Sequence, residues 1–232
     1  AAGYNSLDSN TTGGSNVAVG ANALVSNTTG GANVALGYAL YSNTSGNYNI
    51  GLGYLALRDN ASGSYNTAIG NRALLNNETG NANIAIGYQS MNWNVSGSSN
   101  VAIGEEALGS VGTGSTNIGI GPATSTSSNS ASNQIVIGYQ ATGQADNSVV
   151  LGNSSVTAIY MAQDSGATIY AGNATFGGDV TISSDTRMKS NIVSLGSTLS
   201  KLLQIDGKSY EMKGKQKIGV LAQEIQEVFP EL

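Results

Sequence analysis

A glycine returns about every 17 residues through the first two thirds of this chain, at Gly3, Gly20, Gly37, Gly53, Gly70, Gly87, Gly104, Gly121, Gly138 and Gly152. One step is 16 residues and the last is 14. Most of these glycines close a pentad of the form Asn-apolar-small-apolar-Gly: NVAVG at 16–20, NVALG at 33–37, NIGLG at 49–53, NTAIG at 66–70, NIAIG at 83–87, NVAIG at 100–104 and NIGIG at 117–121. QIVIG at 134–138 and SVVLG at 148–152 are looser copies. A unit this short cannot bury an apolar face alone, but stacked copies can share one core, so the period predicts a solenoid.

Alternation inside the pentad specifies a strand. Val17 and Val19 share one face, and Ala18 points to the other. The middle residue is small in every clear copy (Ala18, Ala35, Gly51, Ala68, Ala85, Ala102, Gly119). The expectation is that stacking buries the branched residues as a ladder, while the small face admits another backbone layer or another subunit. The closing glycine suits a tight corner without a Cβ clash. A second apolar position follows four residues after most corners: Leu7, Leu24, Leu57, Leu74, Met91 and Leu108, with Leu40 one residue early. About ten coils at a strand spacing of roughly 4.8 Å make a rod of roughly 50 Å.

The polar part of each unit holds an Asn-x-Ser/Thr triplet, at Asn10, Asn27, Asn43, Asn60, Asn77 and Asn94. Recurrence once per coil favours turn chemistry over glycosylation. The paired glycines at 13–14 and 30–31 lack the repeating Asp of a calcium β-roll, so no metal is assigned. Tyr4, Tyr38, Tyr54, Tyr88 and Tyr139 each follow a corner glycine, which predicts stacked rings, with a sugar-binding stripe as the functional alternative. Trp93, the single tryptophan, replaces a small turn residue and is the candidate ligand contact. Glu105 and Glu106 are adjacent acids that point apart and do not make a glycosidase pair.

Composition excludes several functions. There is no Cys and no His, which removes disulfides, thiolate chemistry, Ser-His-Asp catalysis and the usual zinc sites. Residues 1–183 carry two basic and eight acidic side chains, and residues 184–232 carry seven basic and six acidic ones. A body this poor in Lys and Arg is unsuited to nucleic acid. No run of about 18 apolar residues predicts a membrane span. No cofactor is implied. The chain begins without Met and stops at PEL, so it is expected to be a piece of a longer protein.

The pentads and their spacing resemble the head repeats of trimeric autotransporter adhesins, which also occur in phage tail fibres. The resemblance implies left-handed parallel β-rolls that form homotrimers through their small-residue faces. Beyond residue 152, NSSVTAIYMAQDSGATIYAGNATFGGDVTIS has strand-like alternation broken by glycines and resembles the β-stalk of fibre proteins. The expected organisation is therefore all-β for the most part: head repeats over 1–152, a neck over 153–183 and a small α+β segment over 184–232.

That last segment opens with SDTRMKSNI at 184–192 and closes with IGVLAQEIQEVFPEL at 218–232. Both stretches resemble the endosialidase-type intramolecular chaperone, a C-terminal module that assists trimer assembly and then cuts itself off. The resemblance implies Ser184 as nucleophile and Lys189 as base, with Asp185, Arg187 and Asn191 completing the motif, and the rest of the module following Leu232. Such a lysine works without His if desolvation lowers its pKa. The cut falls at Ser183–Ser184 or at Ser184–Asp185. Spacing alone does not join the dyad, because residues five apart lie on opposite strand faces. Residues 197–205 read as a short helix, 206–222 as a hairpin with a basic turn, and Leu221, Ile225 and Val228 as one face of a helix ending before Pro230.

The reading that follows is a virion tail-fibre segment that is structural and receptor-binding. Its expected partners are two further copies of itself, a host-cell surface receptor of glycan type, and other fibre proteins. Single-turnover autoproteolysis is the only enzyme activity expected. The alternative is the head of a trimeric adhesin on a bacterial surface.

Overall fold

The structure, a computed structural model, describes residues 1–159 and two strands between residues 208 and 219. Each pentad forms a short strand: β1 Val17–Val19, β2 Val34–Leu36, β3 Ile50–Leu52, β4 Thr67–Ile69, β5 Ile84–Ile86, β6 Val101–Ile103, β7 Ile118–Ile120, β8 Gln134–Ile137 and β9 Ser148–Leu151. The nine strands pair in sequence order into one parallel sheet. Register follows the repeat residue for residue: Val17 faces Val34, Ala18 faces Ala35 and Val19 faces Leu36. The result is a parallel β-solenoid of about eight turns, with the expected coil of roughly 17 residues but fewer turns than the ten expected. The first corner, at Gly3, is preceded only by the isolated bridge between Ala2 and Val19. This is why there are fewer strands than corner glycines.

The sidedness of the strands is the reverse of the expectation. Ala18, Ala35, Ala68, Ala85 and Ala102 are wholly buried, whereas Val17 and Val19 are 48% and 46% exposed. The cause lies on the opposite wall of the coil, where Leu24, Leu40, Leu57, Leu74, Met91 and Leu108 are also wholly buried. A single short coil has room for one large side chain across its width. A Cβ added to Gly51 would lie 3.1 Å from Ala39 Cβ and 3.3 Å from Leu40 Cγ. The complement is seen at the far end. There the repeat position of the leucine is Ser125, which turns outward to Ser110 and leaves the interior, and the wholly buried Val136 stands where the alanine did. The small face is thus the coil's own interior, not a surface for another subunit.

Asparagines close the rest of the interior. Asn27, Asn43, Asn60, Asn77 and Asn94 are wholly buried. The Nδ2 of Asn43 donates to Asn27 Oδ1 at 2.7 Å, and that of Asn60 to Asn43 Oδ1 at 2.8 Å. The same amides donate to a carbonyl in their own turn, as Asn60 does to Gly63 O at 2.9 Å. A second column, Asn33, Asn49, Asn66, Asn83, Asn100 and Asn117, accepts backbone N–H groups of the next coil, as Asn33 Oδ1 does from Asn49 N at 2.9 Å. Turn and ladder chemistry therefore accounts for the recurrent triplets.

Two residues in most turns adopt a left-handed backbone without being glycine. Asn22 and Leu24 have φ of 56° and 53°, and Arg72 and Leu74 have 58° and 53°. Inter-coil hydrogen bonds hold them there: Leu24 N donates to Ala39 O and Leu57 N to Ala73 O.

The chain divides into two units, Ala1–Ala167 and Thr168–Leu232. In the second, β10 Lys208–Met212 and β11 Lys215–Gly219 pair antiparallel, with Met212 opposite Lys215. This is the expected strand pairing of the hairpin; its basic turn lies outside the described residues. Of the expected neck only residues 153–159 are described, and they contain no strand. The helices expected over 197–205 and 221–229 lie outside the described residues.

Candidate functional site

The outward strand face carries a continuous apolar strip. Two columns run its length, one from Val17 through Ile84 to Val149 and one from Val19 through Ile86 to Leu151. Every member is Val, Ile or Leu except Thr67, apart from the extra Gln134 and Ser148 that open β8 and β9. Many are more than a third exposed, including Ile50, Ile69, Ile103, Ile120 and Ile137. A contiguous exposed apolar strip of this kind is the surface character that marks an interaction face.

The tyrosine column is not a continuous ladder. Tyr38 stacks on Tyr41, with centroids 5.1 Å apart, and meets Tyr54 at a tilted 49°. Asn71 and Glu105 interrupt the column elsewhere. Burial first, and then the neighbouring Tyr41, raises the Tyr38 phenol above its ordinary pKa. Arg58 bonds Asp59 through two nitrogens, and this bond holds its guanidinium above the usual value. A second stack, Tyr48 on Tyr65 at 5.0 Å, was not foreseen because these residues lie in the polar turns.

Trp93 lies in the turn after β5 and is 63% exposed. It walls a groove of about 380 Å³ together with Gln89, Asn92, Glu106, Gly109 and Ser110. The sequence explains why a groove opens at this place. Five residues after the corner, coils carry Asp8, Val25, Arg58, Leu75 and Asn92, but the next coil carries Gly109. Six residues after the corner, Trp93 is followed by the short Ser110. A large ring therefore borders a missing side chain. The Ser110 and Ser125 hydroxyls lie 2.8 Å apart along the groove. Asn92 Oδ1 is buried and has no hydrogen-bond partner. Trp93 was legible in the sequence; Asn92, Glu106 and Ser110 were not, because only the missing side chain at Gly109 joins them to it.

Ser183, Ser184, Asp185, Arg187, Lys189 and Asn191 lie outside the described residues. Comparison with known proteins bears on this part of the chain. Residues 184–232 match the family model described as Chaperone of endosialidase. No curated protein and no solved structure matches the chain. A chaperone segment of this family joined to a β-solenoid fits a protein of the phage tail-fibre or tailspike type.

Proposed function

We propose that this chain is the receptor-binding rod of a phage tail fibre, assembled as a homotrimer and matured by its C-terminal chaperone segment. The carrying observation is the outward column of Val, Ile and Leu on the solenoid, in a chain whose end matches a chaperone family. Three copies packed through these columns would withdraw them from water, at roughly 25 cal/mol for each Å² of apolar surface.

The repeat itself gives such a trimer a reason to need a chaperone. Coils one period apart offer nearly the same face, so three chains slipped by one coil still match apolar against apolar. Register is weakly specified by the interface, as in any strand set with a repetitive pattern. A module that aligns the three chains at one end would fix it. Release of the module then leaves the finished rod. In the self-cleavage reading, the Lys189 amine takes the Ser184 hydroxyl proton as Oγ attacks a neighbouring carbonyl carbon, the peptide C–N bond at that carbonyl breaks as the Lys189 ammonium returns the proton to the departing nitrogen, and water hydrolyses the ester and frees the serine hydroxyl.

The test is the denatured and native mass of the full-length parent with its complete C-terminus. Wild type is expected to split at Ser183–Ser184 or Ser184–Asp185 and to run as a trimer, while Ser184→Ala stays whole. An intact wild type withdraws the self-cleavage, and a monomeric rod withdraws the assembly.

A further inference from the structure

We infer that the groove beside Trp93 is a subsite for an uncharged pyranose ring of a surface glycan. The inference rests on the proposed receptor-binding role and names the class of ligand that role would use.

The geometry selects a flat ring. Trp93 presents a large aromatic face to solvent at the edge of a concave surface, and a solvent-facing indole suits the apolar C–H face of a sugar. The groove's volume of about 380 Å³ lies at the low end of small-ligand sites, which span roughly 300–1,000 Å³. It suits one or two rings, not an extended chain buried along its length.

The polar groups select hydrogen-bond donors. Glu106 contributes a carboxylate to the groove wall, an acceptor for a ligand hydroxyl. The Ser110 and Ser125 hydroxyls add adaptable partners. Within residues 1–159 the only Lys or Arg residues are Arg58 and Arg72, and neither lines the groove. Sialic acids, uronic acids and phosphorylated sugars would therefore bring a negative charge against Glu106 with no cation to receive it. A neutral hexose, deoxyhexose or N-acetylhexosamine meets every group present.

Gly109 makes the site singular in the rod. Each preceding coil with the full 17-residue spacing fills the equivalent position with a side chain. Gln89 and Glu106 are held above the groove in left-handed conformations with φ of 52° and 53°, fixed by bonds such as Glu106 N to Tyr88 O at 2.8 Å. The site is thus set on the rigid coil and not on a loose loop.

The full chain, fluorescently labelled, would be applied to an array of neutral, acidic and amino-sugar oligosaccharides beside Trp93→Ala and Ser110→Phe. Ser110→Phe fills the groove at a position where the previous coil already carries an aromatic ring. Both variants should melt with wild type. Binding to neutral glycans, lost at least tenfold in both variants, is the expected result. Trp93 is the only tryptophan, so its emission should also shift saturably with the best neutral ligand. Signals confined to acidic or amine-bearing glycans, signals unchanged in both variants, or no signal at all would overturn the inference. Adsorption of the wild-type fibre to host cells separates this from the broader reading. If the fibre adsorbs and Trp93→Ala adsorbs equally, receptor binding stands and this subsite falls; if no fibre adsorbs, the receptor-binding reading falls by itself.

Discussion

Asn94 and Val111 occupy the same interior position in consecutive coils, and the asparagine ladder ends between them. Asn94 Nδ2 donates to Asn77 Oδ1 at 2.7 Å, as each rung does to the one before. Val111 has no donor to offer in turn, so Asn94 Oδ1 is buried without a partner. An acceptor left in this state costs roughly 1–3 kcal/mol. The ladder therefore ends on one unpaired acceptor, and an asparagine added at its end would carry that acceptor one coil further.

Val111→Asn should be tolerated where a buried polar substitution ordinarily is not. Its amide would find Asn94 Oδ1 and the Gly114 carbonyl already placed by the repeat. The gain in hydrogen bonding offsets the lost valine burial, and the expected change is within about 1 kcal/mol of zero. Val136→Asn is the control, at a position that is also wholly buried but belongs to the strand face. It should cost about 3 kcal/mol. Urea unfolding of the two variants checks the ordering, and equal losses would show that the ladder does not extend.

The backbone makes a second claim. Arg72 has φ of 58°, in the same turn position where Asn5 and Asn22 have 52° and 56°. Asparagine adopts this region far more readily than arginine, and a β-branched residue does so worst. Arg72→Asn should raise stability by about 0.5 kcal/mol and Arg72→Val lower it by about 1–2 kcal/mol. Thermal melts of both variants decide the matter; a gain from Arg72→Val would mean that the turn relaxes out of the left-handed region.

How far these features could be read in advance depends on what periodicity encodes. Spacing gives the coil length and strand register, which is why Ala18 faces Ala35 as expected. The stretch 206–222, read as a hairpin around a basic turn, likewise pairs as two antiparallel strands. Alternation, however, says only that Ala85 and Ile84 face opposite ways. Which of them lies inside depends on the width of the coil, set by Met91 and its equivalents on the far wall. The left-handed leucines have no signature either, because leucine is not a residue chosen for that conformation. They are held by bonds between coils, which no single repeat contains. The groove was half legible for the same reason: Trp93 stands out as a residue, and Gly109 matters only as a gap between neighbours.

The reversed sidedness of the strands can be tested directly at neighbouring positions in β5. Ala85 is wholly buried and stands between Ala68 and Ala102 in register. Ile84, beside it, is 38% exposed. Ala85→Val adds only two methyl groups, yet the coil interior has no room for them beside the opposing wall. Overpacking of this kind costs about 1–3 kcal/mol. The loss should be seen in the melting temperature at every protein concentration, because it lies within one chain. Ile84→Asp puts a charge where water, or another copy, stands. It should leave the strand signal in circular dichroism intact and lower the native mass, with the shift largest in dilute samples. Were the branched residues inside and the alanines at a subunit interface, the two variants would exchange these effects. Ile84→Asp would then unfold the coil, and Ala85→Val would alter only the mass.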